Sequence, residues 1–213
     1  MKAVNISTRI TLLCMFLALA TVLRAQVPTT ESGFVPEVGQ QGKDVVWVPT
    51  PDELVSAMLK MAKVTPDDYV IDLGSGDGRT VIAAAKIGAT ALGIEYNPDM
   101  VALSKRNAET EGVSAKANFI EADLYEYDFS KATVITMFLL PEINLKLRPR
   151  LLELKPGTRI VSNTFTMGEW EPDYEVTTEE NWNSWNKAMM WIIPAKAEGY
   201  WKLGQNELSF RQQ

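Results

Sequence analysis

Apolar positions change rhythm along this chain, and the rhythm predicts most of its elements. Leu54, Val55, Met58, Leu59 and Ala62 recur every three or four residues, the spacing of one helical face. Just before them, Thr50, Pro51 and Glu53 read as a helix start. Thr50 is the expected cap, Pro51 the first helical residue, and Glu53 completes a capping box. Short runs then take over. Residues 69–73, 90–94, 117–120, 133–139 and 159–162 are brief and apolar or β-branched, as buried strands are. Helical segments fall between them. One is the Ala-rich stretch 80–87, ended by Gly88; another begins after Asn97, with Pro98 at its first position, and stops at Gly112. A third covers 142–154, with Pro149 expected to kink it.

Strands that alternate with helices need crossover connections, which build a parallel sheet with helices on both faces. After residue 165 the pattern changes. Residues 187–193 and 199–203 read as strands and 207–211 alternates, with no long helix between them. The expectation is an α/β fold, mainly parallel, extended by an antiparallel C-terminal edge.

Composition adjusts this picture at the N-terminus. Residues 10–23 form a mostly apolar run behind Lys2 and Arg9, with Ala25 before Gln26. That is the pattern of a secretory signal over residues 1–25, with a membrane contact confined to this segment. The run is short for a span, which takes about 20 residues; an uncleaved anchor is the competing reading. Both readings place the remainder outside the cytoplasm, periplasmic or extracellular. Residues 26–46, rich in Pro and Gly with little periodicity, read as a linker or arm, and residues 47–213 as the folded domain.

The net charge is −6 over 213 residues, and residues 1–25 hold three basic residues and no acid. The remainder is therefore still more acidic, a poor match for a phosphate backbone, so no nucleic-acid partner is expected. The one cysteine, Cys14, lies in the apolar run, and there is no histidine. This excludes thiolate metal sites, internal disulfides and histidine general bases, and no metal is expected.

The strongest chemical signal is Asp72-Leu73-Gly74-Ser75-Gly76-Asp77-Gly78-Arg79. A glycine-rich turn between strand and helix lets a ligand approach the backbone. The helix start behind it offers free N–H groups to an anion, and in open α/β sheets ligands lie beyond the carboxyl ends of strands. Dinucleotide enzymes use G-x-G-x-x-G, and here the third glycine position is Arg79.

The loop resembles the first motif of class I S-adenosylmethionine-dependent methyltransferases, an acid two residues before G-x-G-x-G. A narrower resemblance rests on Trp47-Val48-Pro49-Thr50-Pro51, Gly93-Ile94-Glu95-Tyr96-Asn97-Pro98, Met137-Phe138-Leu139-Leu140-Pro141 and Gly157-Thr158-Arg159-Ile160-Val161-Ser162. These look like the bacterial relatives of the mitochondrial lysine methyltransferase acting on the c-ring protein of ATP synthase. The resemblance implies a Rossmann-like methyltransferase fold and S-adenosyl-L-methionine as methyl donor.

It also implies a set of contacts. Gly74, Ser75, Gly76 and Gly78 would hold the methionine half, with Asp72 orienting that loop or reaching the donor's amino group. Glu95, with Asn97 beside it, would take the ribose hydroxyls. Asp123 would meet the adenine amino group and Leu124 the ring. Pro49 and Thr50 would help close the cofactor site, although Thr50 also reads as a plain helix cap.

The acceptor side carries Phe138-Leu139-Leu140-Pro141 in place of the Asn/Asp-Pro-Pro-aromatic tetrapeptide of base amino methylation. An apolar, aromatic rim suits the amine of a protein lysine or a small molecule. Glu142 is the one carboxylate singled out as a general base. Trp170, Trp182, Trp185 and Trp191 read either as an aromatic channel for a cation or as core packing. The rival functional reading is an exported S-adenosylmethionine- or nucleoside-binding module without catalysis.

Overall fold

The computed structural model describes residues 33–213 apart from 180–184, 198, 205 and 211–213. The predicted leader and Trp182 lie outside the described residues.

Four helices and nine strands are present among them: α1 (Asp52–Met61), β1 (Tyr69–Leu73), α2 (Arg79–Ile87), β2 (Thr90–Glu95), α3 (Pro98–Thr110), β3 (Ala117–Glu121), β4 (Val134–Met137), α4 (Pro141–Leu151), β5 (Arg159–Asn163), β6 (Tyr174–Thr177), β7 (Lys187–Ile192), β8 (Gly199–Leu203) and β9 (Asn206–Phe210). Seven strands form one sheet in the order β3-β2-β1-β4-β5-β7-β6. The first five are parallel; β7 and β6 extend the edge in antiparallel pairing. The fold is the mainly parallel α/β fold that the alternating pattern predicts, in the Rossmann-like form that the resemblance implies.

Each strand sorts its side chains onto two faces, because successive residues point opposite ways. Val70, Ala91, Val134 and Val161 meet Leu54, Met58, Leu59, Val81 and Val101 from α1, α2 and α3. Ile71, Ile94, Ile135 and Ile160 meet Ile143, Leu147 and Leu151 of α4 on the other face. Trp191 belongs to this second core and is fully buried. Its indole N–H donates to the Trp170 carbonyl at 2.7 Å. These two tryptophans are packing residues, as one of the two readings expected.

At the amino ends of the strands, Asp68 ties the sheet together. It accepts from the Thr65 amide at 2.8 Å and the Thr133 hydroxyl at 2.7 Å, and it pairs with Arg159. Burial pushes its carboxyl up, but these bonds outweigh burial and hold it below the ordinary value.

Three local expectations differ from the structure. Helix α1 starts at Asp52, and no side chain caps it; the Thr50 hydroxyl is committed to Asn163 instead. Helix α4 ends at Leu151, three residues before the apolar pattern does, with Pro149 in its final turn. Strands β8 and β9 pair with each other in a separate two-stranded sheet instead of extending the main edge.

Candidate active site

Parallel strands bring all their carboxyl ends to one edge, and there the chain forms a cavity lined from five successive connections. The first is the glycine loop after β1. Gly74, Gly76 and Gly78 all have positive φ, at 77°, 54° and 85°, backbone that glycine adopts without strain. At Gly76 a second constraint applies, because an added Cβ would fall 2.6 Å from the Trp47 indole nitrogen. Gly78 differs from its neighbours. It precedes α2, and its missing Cβ makes room for Phe119 at 2.7 Å; it does not line the cavity. The structure thus places Gly78 in helix–sheet packing and not with the expected cofactor residues.

The loop is clamped from several sides. The amides of Gly74 and Ser75 donate to the Ile94 carbonyl at 2.9 and 3.0 Å. The Gly76 amide donates to Glu95 Oε2 at 2.9 Å. From α3, the Ser104 hydroxyl reaches the Gly76 carbonyl and the Asn107 amide nitrogen the Asp77 carbonyl. Arg79, in the place of the third glycine, binds Asp77 through Nη2 at 2.6 Å and donates through Nη1 to the Thr50 carbonyl at 3.0 Å. The departure from the dinucleotide pattern therefore has a structural use: Arg79 fastens the segment before α1 to the glycine loop. Pro49 and Thr50 line the cavity as a result. The Thr50 hydroxyl accepts from Asn163 Nδ2 at 3.3 Å, which replaces the predicted cap.

Asp72 in β1, Glu95 at the end of β2 and Asp123 just after β3 bring carboxylates to the cavity. Asp72 is 6% exposed and accepts from the Thr136 hydroxyl at 2.6 Å. Burial pushes its carboxyl up to about 7, against the Thr136 bond, with Glu95 and Asp77 adding to the rise. Glu95 Oε1 accepts from the Tyr96 and Asn97 amides at 2.9 Å each, while Asn97 caps α3 through Asp99 and Met100. Asp123 accepts from the Tyr125 amide at 2.8 Å and from Lys43 Nζ at 2.6 Å. The Lys43 bond holds the Asp123 carboxyl below its ordinary value. Lys43 comes from the arm, which doubles back on itself through Gly39–Trp47 and Gly42–Val45 bonds, and its ammonium lies 4.4 Å from the centre of the Tyr96 ring. Leu124 lines the wall beside Asp123.

The far side of the cavity is apolar. Phe138, Leu139 and Leu140 follow β4, Phe165 follows β5, and Trp185 precedes β7. Phe138 stacks on Phe165 with centroids 5.9 Å apart and meets Trp185 edge-on at 5.5 Å. Of the described tryptophans considered as a channel, Trp185 is the one placed here. Phe165 and Lys43 escaped the sequence reading; a lone aromatic after a strand and a lone lysine in an irregular arm carry no periodic signal. Glu142 is exposed and does not line the cavity. Among the described residues no group of acids, His or Cys has metal-binding geometry.

A buried carboxylate beside the glycine loop, a second acid at the end of β2 and a third after β3 fit the zwitterionic, ribose and adenine parts of one elongated nucleoside. This arrangement on this fold defines a class I S-adenosylmethionine-dependent methyltransferase. Residues 72–174 match the ANTKMT methyltransferase domain. The chain is 43% identical over 152 residues to a "Protein-lysine N-methyltransferase" of Saccharolobus islandicus, covering 94% of that protein and 70% of this chain. It is 38% identical over 129 residues to the human lysine N-methyltransferase named for the c-ring protein of ATP synthase, covering 60% of this chain and 55% of that protein's length. The crystal structure of an RNA methyltransferase from Salinibacter ruber, in complex with S-adenosyl-L-homocysteine, aligns at a TM-score of 0.66 and 44% identity over 75% of this chain and 98% of that one. The chain belongs to this methyltransferase family, and S-adenosyl-L-methionine is its methyl donor.

Proposed function

We propose that the chain methylates the side-chain amine of a lysine in a protein substrate. The observation that carries this reading is the apolar rim of Phe138, Phe165 and Trp185, set against the acidic, hydrogen-bonding half of the same cavity. The relatives named as lysine methyltransferases support it.

When bound, the donor supplies an electrophilic methyl group on a sulfonium. The chain's own work is to hold, orient and dry the reactants. The loop Gly74–Gly76 with Ser75 takes the methionine half, and Asp72 faces its ammonium. Glu95, held by three backbone amides, keeps lone pairs for the ribose hydroxyls, with Asn97 fixing the start of α3 beside it. Asp123 and Leu124 take the adenine, and Pro49 and Thr50 close the site. An aromatic, poorly solvated rim favours the neutral form of a lysine, since desolvation lowers an ammonium's pKa. The attacking nitrogen is then available without a histidine. Glu142, exposed and off the cavity, is not needed as a base.

RNA is the second reading, because the relative from Salinibacter ruber carries that name. The net charge of −6 opposes it. A small amine is the third. Labelled donor, supplied separately with an unfolded protein extract, total RNA and free polyamines, separates the three. Label on lysine in the protein fraction is the expected result, and label on RNA alone overturns the proposal. The basic and apolar N-terminal segment further supports an exported enzyme, periplasmic or extracellular, that meets its acceptor outside the cytoplasm.

A further inference from the structure

The chain spends an unusual number of side chains on one short stretch after β5. Thr164 has a φ of 60°, left-handed backbone that a β-branched residue rarely adopts. Its hydroxyl donates to Asn163 Oδ1 at 2.8 Å, and its amide donates to the Lys187 carbonyl at 2.7 Å. Asn163 is fully buried, and its amide nitrogen donates to the Thr50 hydroxyl. The Phe165 amide turns back onto the Asn163 carbonyl at 2.7 Å.

The next three carbonyls are also held. Phe165 O accepts from the Ser162 hydroxyl at 2.7 Å and from Asn144 Nδ2 at 3.2 Å. Asn144 Nδ2 also reaches Thr166 O, and Arg148 Nη1 reaches Met167 O at 3.0 Å. Asn144 is itself fully buried on α4. A connection whose only task was to lead the chain from β5 to β6 would not need a strained residue or buried amides from two elements. What the turn produces is a fixed direction for Phe165, whose ring stacks on Phe138 in the cavity rim. Strained backbone that its surroundings over-determine collects where geometry matters to function.

We propose that Asn163 and Thr164 form a positioning device for the acceptor side: the strained turn aims Phe165 into the rim and, through Thr50, fixes it relative to the donor wall. The proposal rests on the methyltransferase reading with an amine acceptor. Asn163 and Thr164 act through Phe165 and are positioning residues.

The test compares wild type, Thr164→Val, Thr164→Asn and Phe165→Ala, with poly-L-lysine as acceptor and labelled donor. Valine keeps the shape of threonine but loses the hydroxyl that holds the turn. Asparagine accepts left-handed backbone and can restore the bond. Thr164→Val and Phe165→Ala should lower kcat/KM for poly-L-lysine by at least about tenfold, as misplacement near a reacting pair does. Donor affinity, measured by calorimetry, should stay within about twofold, because neither substitution removes a donor-side residue and Arg79 still holds the Thr50 carbonyl. Thr164→Asn should recover most of the rate. Wild-type kcat/KM in Thr164→Val, or an equal loss of donor affinity, overturns the proposal.

If wild type does not methylate poly-L-lysine, the lysine reading fails separately. The turn is then judged by n-butylamine titrated into protein loaded with S-adenosylhomocysteine, read by the Trp185 indole signal in NMR. A saturable shift in wild type that Thr164→Val loses supports the device. The same shift in both, or none in wild type, overturns it.

Discussion

The Gly76 amide and the Glu95 carboxylate meet at 2.9 Å, so the residue at the end of β2 also fixes the loop after β1. Glu95 Oε1 holds two further amides, those of Tyr96 and Asn97. One side chain therefore shapes two walls of the cavity. Glu95→Ala removes three bonds to a charged acceptor, each worth about 1.5–3 kcal/mol. Calorimetric titration with S-adenosylmethionine should show at least about a tenfold loss of affinity, while circular dichroism reports a folded domain. An unchanged dissociation constant would remove Glu95 from the ribose site.

Asp72 predicts an unusual pH dependence. Its folded carboxyl titrates at about 7 because it is buried. The folded state thus binds a proton that the unfolded state has already released. Its contribution to stability is full below the unfolded value of about 4 and is lost as pH rises through 7. Between pH 5 and 8 the ligand-free protein should lose more thermal stability than Asp72→Asn does. A bound ammonium favours the charged carboxylate, so donor affinity should rise over the same interval with release of a proton. Titration in buffers of different ionisation enthalpy measures that proton; zero release would contradict the assignment.

The other end of the sheet gives the control. Asp68, 8% exposed, bonds Thr65, Thr133 and Arg159 far from the cavity. Its depressed carboxyl contributes stability above the unfolded value that is lost as pH falls through the folded one. Asp68→Ala should cost about 2–4 kcal/mol in denaturant unfolding, since Arg159 is left without its partner. Donor affinity of the folded fraction should not change.

Lys43 bridges the arm to Asp123 as a partly exposed pair. Such pairs have modest strength, so Lys43→Ala should speed donor dissociation only about two- to fivefold. Stopped-flow measurement at rising salt should bring wild type towards the variant. Identical rates at low salt would show that the arm does not latch the donor.

The N-terminal segment predicts a mature chain that starts near Gln26 outside the cytoplasm. Cell fractionation with N-terminal sequencing checks this. A cytoplasmic chain that still starts at Met1 would contradict it.

The sheet and the strand-end wall of the cavity were legible because each rests on a local signal. Strand–helix alternation sets topology, and the glycine loop, Glu95 and Asp123 sit at strand ends where the rule for open α/β sheets expects ligands. What escaped depends on contacts distant in sequence. Thr50 looks like a cap until Arg79 and Asn163 occupy it. Gly78 looks like its two neighbours until Phe119 is seen beneath it. Phe165 gains meaning only when β4 and β5 pair and bring it to Phe138. Strand β6 is four residues of mixed polarity, with three exposed, so no alternation marks it.

The antiparallel return of β7 beside β5 has one more consequence. Asn163 pairs with Ala188, and the Thr178 amide and Asn186 carbonyl, with Asn186 Nδ2 and the Thr178 carbonyl, close the neck of the β6–β7 hairpin at 2.9 Å each. Trp185 precedes Asn186 at that neck and reaches the cavity rim against Phe138. Exchanging that one side chain can therefore retune which acceptor is admitted while the sheet keeps its register and the glycine loop its shape.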